Sequence, residues 1–151
     1  MFMDDNLEFA DATSNGTPNS STVNVGDIID TSAISRDIGS GQPLYLIITV
    51  DTAVTSGGSA TVAFLMVSDA TTTIAVNGTA TKHIETDAIA VASLVAGYKM
   101  VVPLPSGNPT YERYLAFQVK ETSGNALNGG NVNAFLTVDP HGWTSYADAA
   151  N

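Results

Sequence analysis

The chain contains no cysteine. That excludes disulfides, thiolate nucleophiles and cysteine metal sites, and it names no compartment. Basic residues are scarce. Arg36, Lys82, Lys99, Arg113 and Lys120 are the only five, they form no run, and 15 acids bring the formal net charge to −10. Nucleic acid and anionic membrane are held by clustered positive charge, so neither is expected as a direct partner. Histidine is nearly absent: His83 and His141 lie far apart and neither sits in a ligand motif. No metal and no cofactor are expected. No apolar run approaches the roughly 20 residues of a membrane span. Met1-Phe-Met-Asp-Asp-Asn-Leu-Glu-Phe9 lacks the basic-then-apolar order of a secretory signal. The expectation is a protein made in a cytoplasm.

What is present is a core. Hydrophobic residues make up 44% of the 151, enough for one domain that needs no covalent staple. Charged residues reach only 13%, so Ser, Thr, Asn and Gly must form much of the surface. Such a surface suits a β protein with many turns.

The segment Arg36-Asp-Ile-Gly-Ser-Gly-Gln-Pro-Leu-Tyr-Leu-Ile-Ile-Thr-Val50 shows the construction. Gly39 and Gly41 permit a tight turn and Pro43 suits a strand entrance. Leu44, Leu46, Ile48 and Val50 then alternate with Tyr45, Ile47 and Thr49, the period of a strand with a buried face. The same pattern predicts strands at Val23–Ile29 (interrupted by Gly26), Leu44–Asp51, Ala60–Ser68, Tyr98–Leu104, Glu112–Glu121 and Asn131–Asp139. Both faces of Ala60–Ser68 are apolar, which implies a central strand. Asn77-Gly78 predicts a turn between short strands at Thr71–Val76 and Thr79–Asp87. Ala88–Gly97 is the one helical prospect, read as a single turn with Gly97 as its stop. Eight or so short strands imply an all-β, jelly-roll-like antiparallel β-sandwich. The predicted division is an N-terminal arm over 1–22, a sandwich over 23–139 and a tail over 140–151. Leu7 and Phe9 alternate as a short edge strand within the arm, and Thr13–Thr22 reads as a flexible loop.

The search for chemistry returns little. Serines and histidines are present, but no G-x-S-x-G elbow supports a hydrolase. Asp27 with Asp30, or Glu85 with Asp87, pair carboxylates in the chain, yet such pairs are more often solvated strand ends or turn residues. Asp4-Asp5-Asn6 and Asp27-Ile-Ile-Asp30 lack the oxygen spacing of a calcium loop. Gly39-Ser-Gly41 lacks the third glycine and the following helix of a dinucleotide fingerprint. Candidates for contact with a partner are Trp143 and Tyr146 in the tail, because aromatics anchor interfaces; the alternative is that they cover one end of the core. Leu7 and Phe9 are the corresponding candidates in the N-terminal arm.

Four blocks, Arg36–Tyr45, Ala88–Pro105, Glu112–Val119 and the closing strand to Val138, resemble in order and spacing the capsid cement proteins of short-tailed bacteriophages, also called decoration or stabilising proteins, among them that of a Bordetella phage. The resemblance covers about residues 36–139. It implies a jelly-roll-like sandwich on the outer surface of an icosahedral shell in the virion, with the major capsid protein as partner and no catalytic residues. It also implies a symmetric self-oligomer, a homodimer on two-fold axes being favoured over a homotrimer. Relative to that family, the stretch at 13–22 is longer, 71–87 reads as an inserted hairpin, and the tail after Pro140 has no counterpart. The competing expectation is a carbohydrate- or receptor-binding jelly roll of a phage tail or fibre. Scattered aromatics, 7% of the chain, count against a sugar site. A cupin-like enzyme stands last, because no metal motif is present.

Overall fold

Period-two alternation becomes β structure wherever turn residues leave it room. The structure, a computed structural model, describes residues 5–32, 38, 41 and 43–141. Among them the strands are β1 (Glu8–Ser14), β2 (Thr22–Asp30), β3 (Tyr45–Ser56), β4 (Thr61–Asp69), β5 (Thr81–Glu85), β6 (Ile89–Ala90), β7 (Lys99–Pro103), β8 (Tyr114–Glu121) and β9 (Leu127–Thr137). Single 3-10 turns at Asp5–Leu7 and Val91–Ser93 are the helical pieces among the described residues. The prospect at Ala88–Gly97 is thus one turn, followed by Gly97 with φ +87°.

All pairings are antiparallel, in sheets of order β1-β9-β3-β7 and β2-β8-β4-β5, with β6 added to β4. The order has a simple origin. The chain doubles back over residues 70–80, so that β4 meets β5, β3 meets β7, β2 meets β8 and β1 meets β9. This is one long ribbon. Rolling it sets β3 beside β9 and β4 beside β8, and the two halves become the two sheets of a jelly-roll sandwich. Antiparallel alternation then sorts the connections by end. Those after β1, β3, β5 and β8 share one end; those after β2, β4 and β7 share the other, with the start of β1 and the end of β9.

The core lies between the sheets. Phe9, Leu46, Ile48, Phe64, Met66, Leu115, Phe117 and Leu136 are each at most 2% exposed within it. Phe117 stacks on Phe64 at 5.8 Å and lies 6.5 Å from Phe9. The β4 side chains that point away from this core, Ala63, Leu65 and Val67, are buried too, in a second cluster with Ile74 and Ala116. The expectation of a central strand with two apolar faces is met in β4.

Several expectations need correction. The segment 1–22 is not wholly an arm: Glu8–Ser14 forms the edge strand β1, and β2 already begins at Thr22. Phe9 is simply too apolar and too well placed against Phe117 to stay in solvent. Thr71–Val76 is not a strand; residues 70–80 run as a loop that lays Ile74 over the outer face of β4. The last strand starts at Leu127, because Gly129 and Gly130 fit beside Thr55 and Val54 where a Cβ would collide. Ile47 faces outward from the core yet is 0% exposed, so β3 is covered on both faces from Leu46 to Val50.

Candidate functional site

Three groups of polar side chains are brought together by the fold, and each has a local cause. The first is at the end of β4. β5 carries one extra residue between Lys82 and Ile84, opposite Val67 and Met66. A bulge of this kind re-aims a side chain. It brings His83 Nε2 to 2.7 Å from Ser68 Oγ, and Ser68 Oγ also accepts the Glu112 amide N–H at 3.0 Å. The imidazole stacks on Tyr111 with ring centroids 3.9 Å apart, and the Tyr111 hydroxyl donates to the Pro105 carbonyl. Burial pushes His83 below its ordinary pKa against a smaller upward pull from Glu112, and burial pushes Tyr111 up to about 12.

Serine next to histidine is the raw material of a nucleophile, but the geometry here is a joint. A triad needs a third group on the other ring nitrogen and an accessible hydroxyl. His83 Nδ1 is buried without a partner, and Ser68 is 0% exposed. What the cluster does is tie β4, β5 and the entry to β8 together.

The second group clamps the opposite end. Glu121 closes β8 and is 1% exposed. Its carboxylate accepts the Ser20 amide at 2.8 Å, the Ser123 amide at 2.7 Å, the Gly124 amide at 3.0 Å and the Ser123 hydroxyl. Ser20 adopts φ +47° to present its N–H. Burial alone raises this carboxyl, but the hydrogen bonds from Ser123, Ser20 and Gly124 outweigh it and hold the pKa at about 2. One carboxylate therefore fixes both the β1–β2 and the β8–β9 loops. The Leu127 amide to the Pro18 carbonyl and the Gly57 amide to the Ala126 carbonyl complete the clamp. The stretch read as a flexible loop is pinned at this point.

The third group lies on the outer face of β2, β8 and β4. Gln118 donates to Asn24 Oδ1 at 2.8 Å and to the Ala75 carbonyl at 3.0 Å, while Asn24 Nδ2 donates to the Ile74 carbonyl at 3.1 Å. These bonds fasten the 70–80 loop over Leu65 and Val67. Beside it, Lys82 and Lys120 both reach Glu85, Lys120 at 3.1 Å.

Of the contact candidates, Leu7 and Phe9 are 4% and 1% exposed in the chain's own core, so neither offers a partner any surface. Trp143 and Tyr146 lie outside the described residues. Asp30 of the Asp27–Asp30 pair is engaged by Arg113 in a two-pronged ion pair, 2.9 and 2.8 Å, which holds its carboxyl well below the usual range. Among the described residues no group of three or more His, Cys, Asp or Glu is placed to hold a metal ion, and no helix is long and apolar enough to cross a membrane. Sequence reading missed Ser68, Asn24, Gln118 and Glu121 as structural pivots. The bulge at His83 had no local signal, whereas Glu121 ahead of Thr-Ser-Gly-Asn marks an acid facing a turn rich in amide donors.

The family described as Bbp16 matches residues 13–136, from within β1 to within β9. This chain belongs to the Bbp16 family. No curated protein matches it. The Bbp16 match takes in strands of both sheets, the Ser68–His83 joint, the Glu121 clamp and the 70–80 loop.

Proposed function

We propose that this Bbp16-family chain is a bacteriophage virion structural protein, a capsid cement protein that binds the outer surface of an icosahedral shell and stabilises contacts between major capsid protein subunits. The observation that carries this reading is the Bbp16 match across both sheets of the jelly roll, under a family name that points to a Bordetella phage protein. The physical character of the chain supports it. Its polar clusters are spent on fixing loops, and a clamp under load needs a frame whose loops do not yield. A protein that binds only the assembled lattice stabilises that lattice by mass action. Single contacts of modest strength become strong when one oligomer engages several subunits. A homodimer places two equivalent surfaces about a two-fold axis and is favoured over a trimer.

The test is direct. Purified protein is mixed with expanded capsids that lack it, and bound copies are counted by electron microscopy. Occupancy at a defined symmetry axis supports the proposal, and absence of binding at every axis removes it. Specific hits on a glycan array would favour a receptor-binding jelly roll in its place.

A further inference from the structure

Two of the five basic residues of this acidic chain, Lys82 on β5 and Lys120 on β8, converge on one carboxylate, Glu85. They rim a groove between the 70–80 loop and the outer face of the second sheet. It is lined by Leu65 and Val67, only 6% and 2% exposed, by Val76 and Ala80, and by the polar Thr22, Gln118 and Glu85. Its volume is about 100 Å³. That is less than the roughly 150 Å³ that holds a benzene molecule; it suits one aliphatic side chain. Val76 is 43% exposed, although the wall it belongs to is held shut by Gln118 and Asn24.

The charge count at the rim is two ammonium groups against one carboxylate. Lys82 and Lys120 remain 52% and 40% exposed in their side chains, so each keeps N–H donors for a second acceptor. On a chain with net charge −10, most of the surface repels an approaching acid. Here two ammonium groups face one carboxylate, and a recess of mixed polar and apolar lining lies beside them.

We infer that this groove is a docking site for an aliphatic side chain flanked by a carboxylate, carried on a partner protein. The aliphatic group enters the recess beside Val76 and Ala80, and the carboxylate bridges Lys82 and Lys120. The inference concerns the chain's own surface and holds or fails independently of capsid binding.

The test is a two-dimensional NMR titration of the full chain with N-acetyl-Leu-Asp-amide, against N-acetyl-Leu-Asn-amide and N-acetyl-Gly-Asp-amide. The expected result is saturable shifts at Leu65, Val67, Gln118 and Lys120 in the millimolar range. The Leu-Asp probe should bind at least threefold more tightly than either control, and the advantage over Leu-Asn should vanish in 0.5 M salt and in the exposed-surface double variant Lys82→Gln/Lys120→Gln. Absence of saturable shifts at these residues, or equal affinity for all three probes, overturns the inference.

Discussion

Replacing Gly26 by alanine tests how the two sheets meet at their shared corner. Gly26 lies in the bulge of β2 between Val25 and Ile29, with φ +75°. A Cβ there would stand 1.8 Å from the Phe9 carbonyl oxygen and 3.1 Å from Ala10 Cα. Contacts under 3.0 Å are essentially never seen, so β1 must retreat by at least about 1.2 Å, the difference 3.0 − 1.8. A gap of 0.5–1 Å already forfeits a quarter to a half of the contact energy of the atoms concerned. The retreat takes with it Phe9, 1% exposed, whose burial contributes roughly 1.5–3 kcal/mol. The left-handed backbone adds roughly 1–2 kcal/mol for a residue with a Cβ. The sum is at most about 2.5–5 kcal/mol, a large share of the 5–15 kcal/mol typical of a domain. At roughly 2–4 °C per kcal/mol, the melting temperature should fall on the order of 10 °C. The control is Gly78→Ala, where φ is +90° but no atom lies within 4 Å; it carries only the backbone cost. Urea unfolding followed by far-ultraviolet circular dichroism reads both. Equal losses in the two variants would refute the reasoning, because they would mean that the approach of Phe9 to Gly26 costs nothing to disturb.

Further outcomes follow from the polar clusters. The Glu121 carboxyl titrates at about 2 in the folded chain against 4.5 ordinarily, so its contribution is complete above about pH 4.5 and is lost as pH falls towards 2. Glu121→Gln should remove that part of the acid dependence and cost roughly 2–3 kcal/mol near neutrality, read from urea midpoints across pH. Gln118→Ala should release residues 70–80, seen as faster amide hydrogen exchange at residues 74–76 with a global loss of only about 1–3 kcal/mol. Ser68→Ala leaves the Glu112 amide and His83 Nε2 without their shared partner and should cost about 1–3 kcal/mol. For His83, whose folded pKa lies below 6.5, stability should decline as pH falls below 6.5, and His83→Phe should flatten that slope in the same urea series.

The strands were largely legible because their signal is local. Leu46, Ile48 and Val50 against Thr49 and Asp51, or Leu115, Phe117 and Val119 against Gln118 and Lys120, state a face and a period without reference to any other part of the chain. Misreadings fell where a distant partner overrides local chemistry. Polar neighbours made residues 1–22 read as an arm, but Phe9 finds Phe117 and becomes core. The pattern starts the last strand at Asn131, but Val54 and Thr55 accommodate it from Leu127, because Gly129 and Gly130 carry no side chains there. Thr71–Val76 read as a strand, but the side chains of Gln118 on β8 and Asn24 on β2 take the Ala75 and Ile74 carbonyls and hold them out of any ladder.

By itself the sequence determined an all-β sandwich, a chain with little basic charge, and the absence of cysteine chemistry, since composition and period are properties of neighbours. Only the tertiary structure decided that Ser68 and His83 form a closed joint, that Glu121 is a loop clamp, and that Lys82 and Lys120 rim one groove. Doubling the chain back brings His83 to Ser68 and Ser20 to Glu121, and rolling the ribbon sets β4 beside β8, which brings Lys82 and Lys120 to one groove.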